Sequence, residues 1–414
     1  MKILSIICRI FLGFVFIFSG FVKGIDPLGS TYKFIDYFIA FGIEWLEPLA
    51  FPLSIILIIA EFAIGVSLFV GLRMLINSWA TLIFMISFTI LTFFLAIFNP
   101  VSDCGCFGDA LILTNWETFW KNIFIMVPTL IVFINKKRFK QLFSVTREWI
   151  IITFIAVVFF LVSLYSYNYL PFIDFRPYEL GSYIPEKMEI PLDAPKDIYE
   201  TYLYYEKNGV VKEFTTDDYP WQDSTWKWLD TKSVLIKKGF HPPIHDFTIE
   251  TLDGEDITDI ILEDDRYYFL LISYALEKAN KDKGIQNKIN ELAEYCITNN
   301  YPFICLTSST GDQFEDFIHE TGATYEFYNT DETTLKTIIR SNPGLVLLKE
   351  GTIIDKWHYN DIPSVDELDT NFIAATIKKY KKKQDMQLII NLFSLGILLL
   401  SVYKLSKLYY TKIK

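Results

Sequence analysis

Two of the five cysteines in this 414-residue chain stand two residues apart, in Asp103-Cys104-Gly105-Cys106-Phe107-Gly108-Asp109. The string lies in a short loop between two long apolar runs. A disulfide needs Cα atoms within about 4.4–6.8 Å of each other. Residues i and i+2 of an extended chain, at about 3.3–3.6 Å per residue, sit near or beyond the top of that range. A bridge therefore demands a bend between the cysteines, which Gly105 permits, and Gly108 gives the loop further freedom. So small a ring is strained, and strained disulfides are the easily reduced, labile kind. Two readings stay open from spacing: a redox-active thiol pair at a membrane surface, or two free loop thiols. Asp103 and Asp109, if close to the sulfurs, would raise the thiol pKa, favouring a reducing pair and slowing attack as thiolate.

Two further ionisable residues stand in apolar surroundings, Arg9 in the first apolar run and Glu61 near the middle of the second. At membrane depth such groups face the bundle interior and find partners. An Arg9–Glu61 pair is expected, either fixing helix register or serving a proton or quinone role. Gly20 and Gly24 form a Gly-x-x-x-Gly that suits close helix packing.

The elements that must hold these residues are membrane spans. The chain is 51% hydrophobic and 17% aromatic, and several windows have the roughly 20 apolar residues that a helix needs to cross a bilayer. Spans are expected at about 4–22, 50–71, 75–98, 117–134, 149–170 and 387–404. The first lacks a small-x-small cleavage pattern and is followed by more spans, so it reads as a helix and not as a signal peptide. Lys23–Ser30 reads as an outer loop leading to a short interfacial helix at Tyr32–Phe41.

The net charge of −11 conceals a division. Residues 171–377 carry 18 Lys and Arg against 39 Asp and Glu, and the remainder is net basic. That split describes an acidic water-soluble domain joined to a membrane part with basic flanks, and it argues against nucleic-acid binding. Lys136, Lys137, Arg138, Lys140 and Arg147 form the densest short-loop basic cluster, which orients that loop to the cytoplasm and the cysteines to the outer side. The lysines at 378–383, ahead of the last expected span, run against this assignment.

Arg9…Gly13…Phe18-Ser19-Gly20-Phe21-Val22-Lys23…Asp26-Pro27, a four-helix apolar unit and Cys-Gly-Cys-Phe-Gly after the third span resemble the DoxX/MauE family of membrane proteins over about residues 1–140. The resemblance implies a role in membrane redox handling: quinol oxidation, thiol control at the cell surface, or maturation of methylamine dehydrogenase. All four histidines (His241, His245, His319 and His358) lie outside this region. The membrane unit therefore has no imidazole to hold haem iron or copper, and no haem is expected in it.

After a proline-rich exit at 171–195, Thr201–Glu206 and Val210–Thr215 flank Asn208-Gly209, a strong hairpin signal. Trp226, Trp228 and Val234–Ile236 extend this into a small β unit whose aromatics are expected to pack a core. From residue 241 strands and helices alternate. Ile244–Ile249 and Ile257–Ile261 read as strands about a turn, Tyr267–Ser273 and Phe303–Thr307 as buried strands, and 365–379 as a closing helix. The region is similar to the thioredoxin-like fold over about 241–380, with Pro343 at the family's cis-proline position. Where that family carries Cys-x-x-Cys, this chain has Ser273-Tyr274-Ala275-Leu276, so no nucleophile for disulfide exchange is present there. Cys296 and Cys305 read as core. The prolines in His241-Pro242-Pro243-Ile244-His245 hold that segment extended, so it gives no helical zinc pair, and no metal is expected.

The expected organisation is a DoxX/MauE-like four-helix transmembrane domain (1–140), a fifth span (148–170), a linker and small β unit (171–240), a thioredoxin-like domain (241–380) and a C-terminal span (386–405). The protein is read as a multi-pass bacterial inner-membrane protein with a periplasmic soluble domain. Its Cys104/Cys106 pair would pass electrons or disulfides between a membrane carrier and a protein partner on the outer face; no cofactor is predicted, with quinone the one kept open. Asp103, Gly105, Phe107, Gly108, Asp109, Arg9 and Glu61 would support the pair. The alternative is a non-catalytic assembly factor that uses the thioredoxin-like domain as a docking platform. A transporter, suggested by Glu61, lacks a broken half-helix pair.

Overall fold

The computed structural model describes residues 2–237 and 239–367. The sixth span expected at 387–404, the lysines at 378–383 and all but the first turn of the helix expected at 365–379 lie outside the described residues. The chain divides into two compact units, residues 183–247 and the remainder.

Six helices open the larger unit: α1 (Lys2–Ile25), α2 (Pro27–Ala40), α3 (Ala50–Val70), α4 (Met74–Phe98), α5 (Asn115–Ile134) and α6 (Val145–Asn168). Five stretches, Ile3–Ile25, Glu44–Val70, Met74–Phe98, Asn115–Ile134 and Val145–Asn168, are long and apolar enough to cross a membrane; α2 is the short helix expected beside them. Asp26 caps α2 by accepting from Gly29 N at 2.9 Å, with Pro27 in the first turn. Thr114 and Glu117 form a reciprocal capping box that starts α5.

In lipid, helix association rests on close packing and polar bridges. A Cβ on Gly13 would stand 2.6 Å from Phe69 N, one on Gly20 2.8 Å from Phe62 N, and one on Gly65 2.5 Å from Ile17 N. The α1–α3 contact thus runs along Gly13 and Gly20, seven residues apart. Gly24 instead faces the Phe159 ring of α6, so Gly20 and Gly24 do not share one partner helix. Asn122 of α5 donates to Thr92 Oγ1 of α4 at 3.1 Å.

The bundle has two chemically distinct ends. At one, Arg9 reaches the Val70 carbonyl at 3.3 Å and lies over Phe139, next to the basic 136–140 loop. At that same end the buried Glu148 accepts from the backbone N–H groups of Leu142, Phe143 and Arg73, each at 3.2 Å. The cysteine loop occupies the other end.

The smaller unit begins with α7 (Ile184–Met188) and holds β1 (Ile198–Lys207), β2 (Val210–Thr215) and β3 (Lys227–Lys237), an antiparallel sheet in the order β2-β1-β3. The β1–β2 turn is Asn208-Gly209, both at positive φ as such a two-residue turn requires. Its aromatics depart from expectation. Phe214 is buried between Tyr205 and Trp226, whereas Trp221 and Trp228 are 71% and 59% exposed.

The α/β part of the larger unit comprises α8 (Thr258–Glu263), β4 (Tyr267–Ile272), α9 (Lys283–Thr298), β5 (Phe303–Thr307), α10 (Asp312–Thr321), β6 (Glu326–Asn329), α11 (Glu332–Ile338), β7 (Gly344–Lys349) and β8 (Thr352–His358). The sheet order is β6-β5-β4-β7-β8, with β6, β5 and β4 parallel and β7 and β8 antiparallel. Pro343 stands just before β7 and its bond with Asn342 is cis. This is the thioredoxin-like arrangement expected from sequence. Phe269, Leu271, Leu292, Cys296, Cys305, Phe317 and Leu347 fill the core.

Two strands expected ahead of this sheet are absent as strands. Glu250 makes single bridges to Asp256 and Asn329, and Thr258–Glu263 is helical. Asp256 accepts from the Thr258 N–H and starts that turn, while Ile257, Ile260 and Ile261 have the i, i+3, i+4 spacing of a helix as much as the look of a short strand.

Candidate functional site

The loop between α4 and α5 is built by its own composition. Asp103 Oδ1 accepts from Gly105 N at 2.8 Å and Oδ2 accepts from Lys33 Nζ of α2 at 2.7 Å. Gly105 turns at φ +66°, and a Cβ there would stand 2.9 Å from Lys33 Cγ, so the close approach of α2 requires glycine. Gly108, also at positive φ, donates its N–H to Gly105 O. Tyr37 of α2 donates to Cys104 O at 2.8 Å, and Ser19 of α1 donates to Cys106 O at 2.6 Å. These anchors place Cys104 Sγ and Cys106 Sγ 2.8 Å apart as free thiols. Cys104 is buried and Cys106 half-buried.

The two sulfurs differ sharply. Cys106 is lowered to about 6, first by the hydrogen bond it shares with Cys104, then because Lys121 and Lys23 face it against the opposing effect of burial. Cys104 is raised well above the usual thiol value by that same bond and by burial. This corrects the expectation that the flanking aspartates raise the pair. Asp103 is spent on Lys33, and Asp109 Oδ2 accepts from Arg340 at 2.8 Å. Burial keeps Asp109 itself above the ordinary carboxylate value. The half-buried cysteine with the lowered pKa is the one of the two with thiolate character near neutral pH.

Phe107 packs on Phe18 and lies under Lys121 Nζ at 4.3 Å. A cleft inside the bundle, lined by Ser19, Lys23, Glu61, Phe84, Phe88, Cys106, Lys121 and Asn122 among others, ends at the thiol. A second cavity beside the loop is lined by charged groups, Lys23, Asp26, Lys33, Asp103, Asp109, Asp174 and Arg176, together with apolar side chains such as Val22, Ile112 and Phe175. Lys23 borders both.

The Arg9–Glu61 pair expected from sequence does not form. Glu61 Oε2 lies 2.5 Å from Lys23 Nζ, both buried, and Arg9 is at the opposite end of α1. Positions 9 and 23 are separated by about 21 Å at 1.5 Å per residue. With the apolar run ending at residue 22, the sequence puts Lys23 in the outer loop, whereas α1 continues to Ile25 and carries it into the bundle. Its signal was a lone lysine one residue past an apolar run.

Arg340 is the second residue that sequence reasoning missed. Only 5% exposed, it lies on the loop that leads to Pro343. Its Nε donates to Asp26 Oδ2 at 2.8 Å and Oδ1 at 3.1 Å, its second terminal nitrogen to Asp109, and its first to Lys336 O at 2.5 Å. Asp174 pairs with Arg176 and with Lys356 of β8; these cations hold its carboxyl far below the usual range despite burial.

In the α/β domain, Ser273 Oγ, at the end of β4, donates to Asn342 Oδ1 at 2.8 Å. Cys296 and Cys305 are fully buried; burial pushes the Cys296 thiol up to about 12 and Cys305 up as well. His241 pairs with Asp197 and His245 with Asp246. Among the described residues no three His, Cys, Asp or Glu side chains gather where they could hold a metal ion.

No curated protein matches the chain. The solution structure of a candidate protein disulfide isomerase from Bacteroides thetaiotaomicron is similar at 15% identity, over 33% of this chain and 85% of that one, with a TM-score of 0.24. Residues 199–238 match a domain of unknown function, DUF8463. Residues 1–135, which take in the whole Cys104–Cys106 loop and the helices that hold it, match the family model of methylamine utilisation protein MauE.

Proposed function

We propose that this multi-pass membrane protein transfers electrons by thiol–disulfide exchange through Cys104 and Cys106, at the outer face of a bacterial inner membrane, with the α/β domain in the periplasm. The observation that carries this reading is the 2.8 Å approach of the two sulfurs, with Lys23 and Lys121 facing Cys106 and both flanking aspartates engaged elsewhere. The basic 136–140 loop at the opposite end of the bundle supports the orientation.

Stabilising the Cys106 thiolate stabilises the reduced pair, and a small-ring disulfide adds strain to the oxidised one. Both effects make the pair an oxidant of its partner. A thiolate of a client protein attacks Cys106 Sγ; the Cys104–Cys106 bond breaks, and Cys104 leaves and takes up a proton. The client's second thiolate then attacks its own sulfur in the mixed disulfide, and Cys106 departs as a thiolate. Two electrons have passed from client to pair, and the client holds a new disulfide. A two-electron acceptor of the quinone class in the membrane would accept two electrons and two protons and restore the Cys104–Cys106 bond. The client is an extracytoplasmic protein whose cysteines are oxidised during its maturation.

The test is thiol trapping in intact membranes. Cys104→Ser is expected to accumulate mixed disulfides through Cys106, and impermeant maleimide to reach the reduced pair from the outer side. A pair that stays permanently oxidised, with the doubly Ser-substituted protein fully active, overturns the reading in favour of an assembly role. Labelling only from the cytosolic side overturns the orientation.

A further inference from the structure

The α/β domain carries no thiols at the end of β4, yet the membrane unit packs against that end. Tyr274 meets Tyr32 of α2 edge to face at 6.2 Å, and Lys336 lies over both rings at 4.9 and 5.1 Å. Lys278 pairs with Glu47 at 3.2 Å. Asn342 O accepts from Asn280 N, and its side-chain amide donates to Ala275 O. This chain's own membrane unit thus covers part of that face, around a cavity lined by Tyr32, Tyr167, Tyr274, Asn280, Asn342 and Tyr359.

From that seat Arg340 reaches the thiol loop. One of its carboxylate partners, Asp26, caps α2 three residues after Lys23; the other, Asp109, stands three residues after Cys106. The loop's N-terminal half has anchors of its own, in Lys33, Tyr37 and Ser19. Among the described residues, no side chain other than Arg340 from outside the loop hydrogen-bonds residues 107–110. A buried guanidinium forked between two carboxylates is geometrically exacting, and such pairs fix position more than they add stability.

We infer that Arg340 is a positioning residue for the thiol pair: the thioredoxin-like domain, without a dithiol of its own, holds the C-terminal side of the membrane loop so that Cys104 stays within reach of Cys106. The inference rests on the thiol-exchange reading above. It makes the domain a part of the membrane site. The charged groups around Arg340 are Asp26, Asp109 and Lys356, with Arg176 facing Asp109 and Tyr32 against the guanidinium plane; those facing Cys106 are Lys23, Lys121 and Glu61.

The probe is 5,5′-dithiobis(2-nitrobenzoate) added to the reduced full-length protein in membrane vesicles. Attack by Cys106 releases one thionitrobenzoate and leaves a mixed disulfide. Attack by Cys104 on Cys106 Sγ then releases the second and closes the pair. The doubly Ser-substituted protein supplies the background from the other three cysteines. Arg340→Gln is expected to leave the first release within about twofold and slow the second at least tenfold, with Arg340→Lys in between. Should Arg340→Gln fail to accumulate, Asp109→Asn, which keeps the Arg340–Asp26 bond, is expected to show the same lag. Unchanged release, or equal slowing of both phases, in Arg340→Gln or in Asp109→Asn overturns the inference and leaves Arg340 as an inter-domain contact. A wild-type protein that never gives the second release refutes the thiol-pair reading itself.

Discussion

Removing the Cys104 sulfur should move the pH midpoint of Cys106 alkylation far more than it moves the rate. At a pKa of about 6, roughly nine-tenths of Cys106 is thiolate at pH 7. The largest cause of that low value is the hydrogen bond shared with Cys104. In Cys104→Ala, burial then acts with less opposition, and the thiol returns to about 8.5 or above. The thiolate population at pH 7 falls to roughly 3%, about thirtyfold. Intrinsic nucleophilicity rises with basicity, however, and a Brønsted coefficient of about 0.4–0.5 restores about ten- to eighteenfold over 2.5 units. The net rate at pH 7 therefore falls only about two- to threefold, while the midpoint climbs by about 2.5 units. The assay is iodoacetamide labelling of membrane vesicles across pH 5–10, read by mass spectrometry at Cys106. Cys104→Ser, which keeps a hydroxyl donor, should move the midpoint less. A wild-type midpoint at 8.5, or a midpoint near 6 that survives in Cys104→Ala, refutes the electrostatic argument for the pair.

Other perturbations bear on the scaffold. Lys23→Met strands Glu61 in the bundle and should cost about 3–5 kcal/mol in detergent unfolding, and Lys23→Met/Glu61→Leu should recover most of that; equal loss in both would show that the ion pair is not what matters. Gly65→Ala places a methyl 2.5 Å from Ile17 N and should destabilise the α1–α3 contact by about 1–3 kcal/mol, whereas Gly42→Ala, with nothing within 4 Å, tests the cost of positive φ alone. Glu148→Ala removes the acceptor of three backbone N–H groups and should cost at least about 2 kcal/mol, visible as faster proteolysis between α5 and α6; an unchanged cleavage rate contradicts that role.

The α/β domain shows where a local pattern stops short. Buried strands such as Phe303–Thr307 were legible because a run of apolar residues bounded by turns has few other uses. At Ile257–Ile261 the apolar positions fit either period, and the side chain of Asp256 decided for a helical turn. The aromatic content near Trp226 suggested a core, but a three-stranded sheet has too little area to cover Trp221 and Trp228.

Sequence alone determined the apolar spans, the acidic domain, the missing dithiol after β4 and the loop that holds Cys104 and Cys106. Each depends on composition or on neighbours a few residues away. Tertiary structure decided the partners: Lys23 for Glu61, Lys33 for Asp103, and Arg340 for Asp26 and Asp109 across more than two hundred residues. The same cause explains why the aspartates beside the cysteines do not set their chemistry. A charge acts according to what else lies within a few ångströms of it, and those distances exist only once the chain has folded.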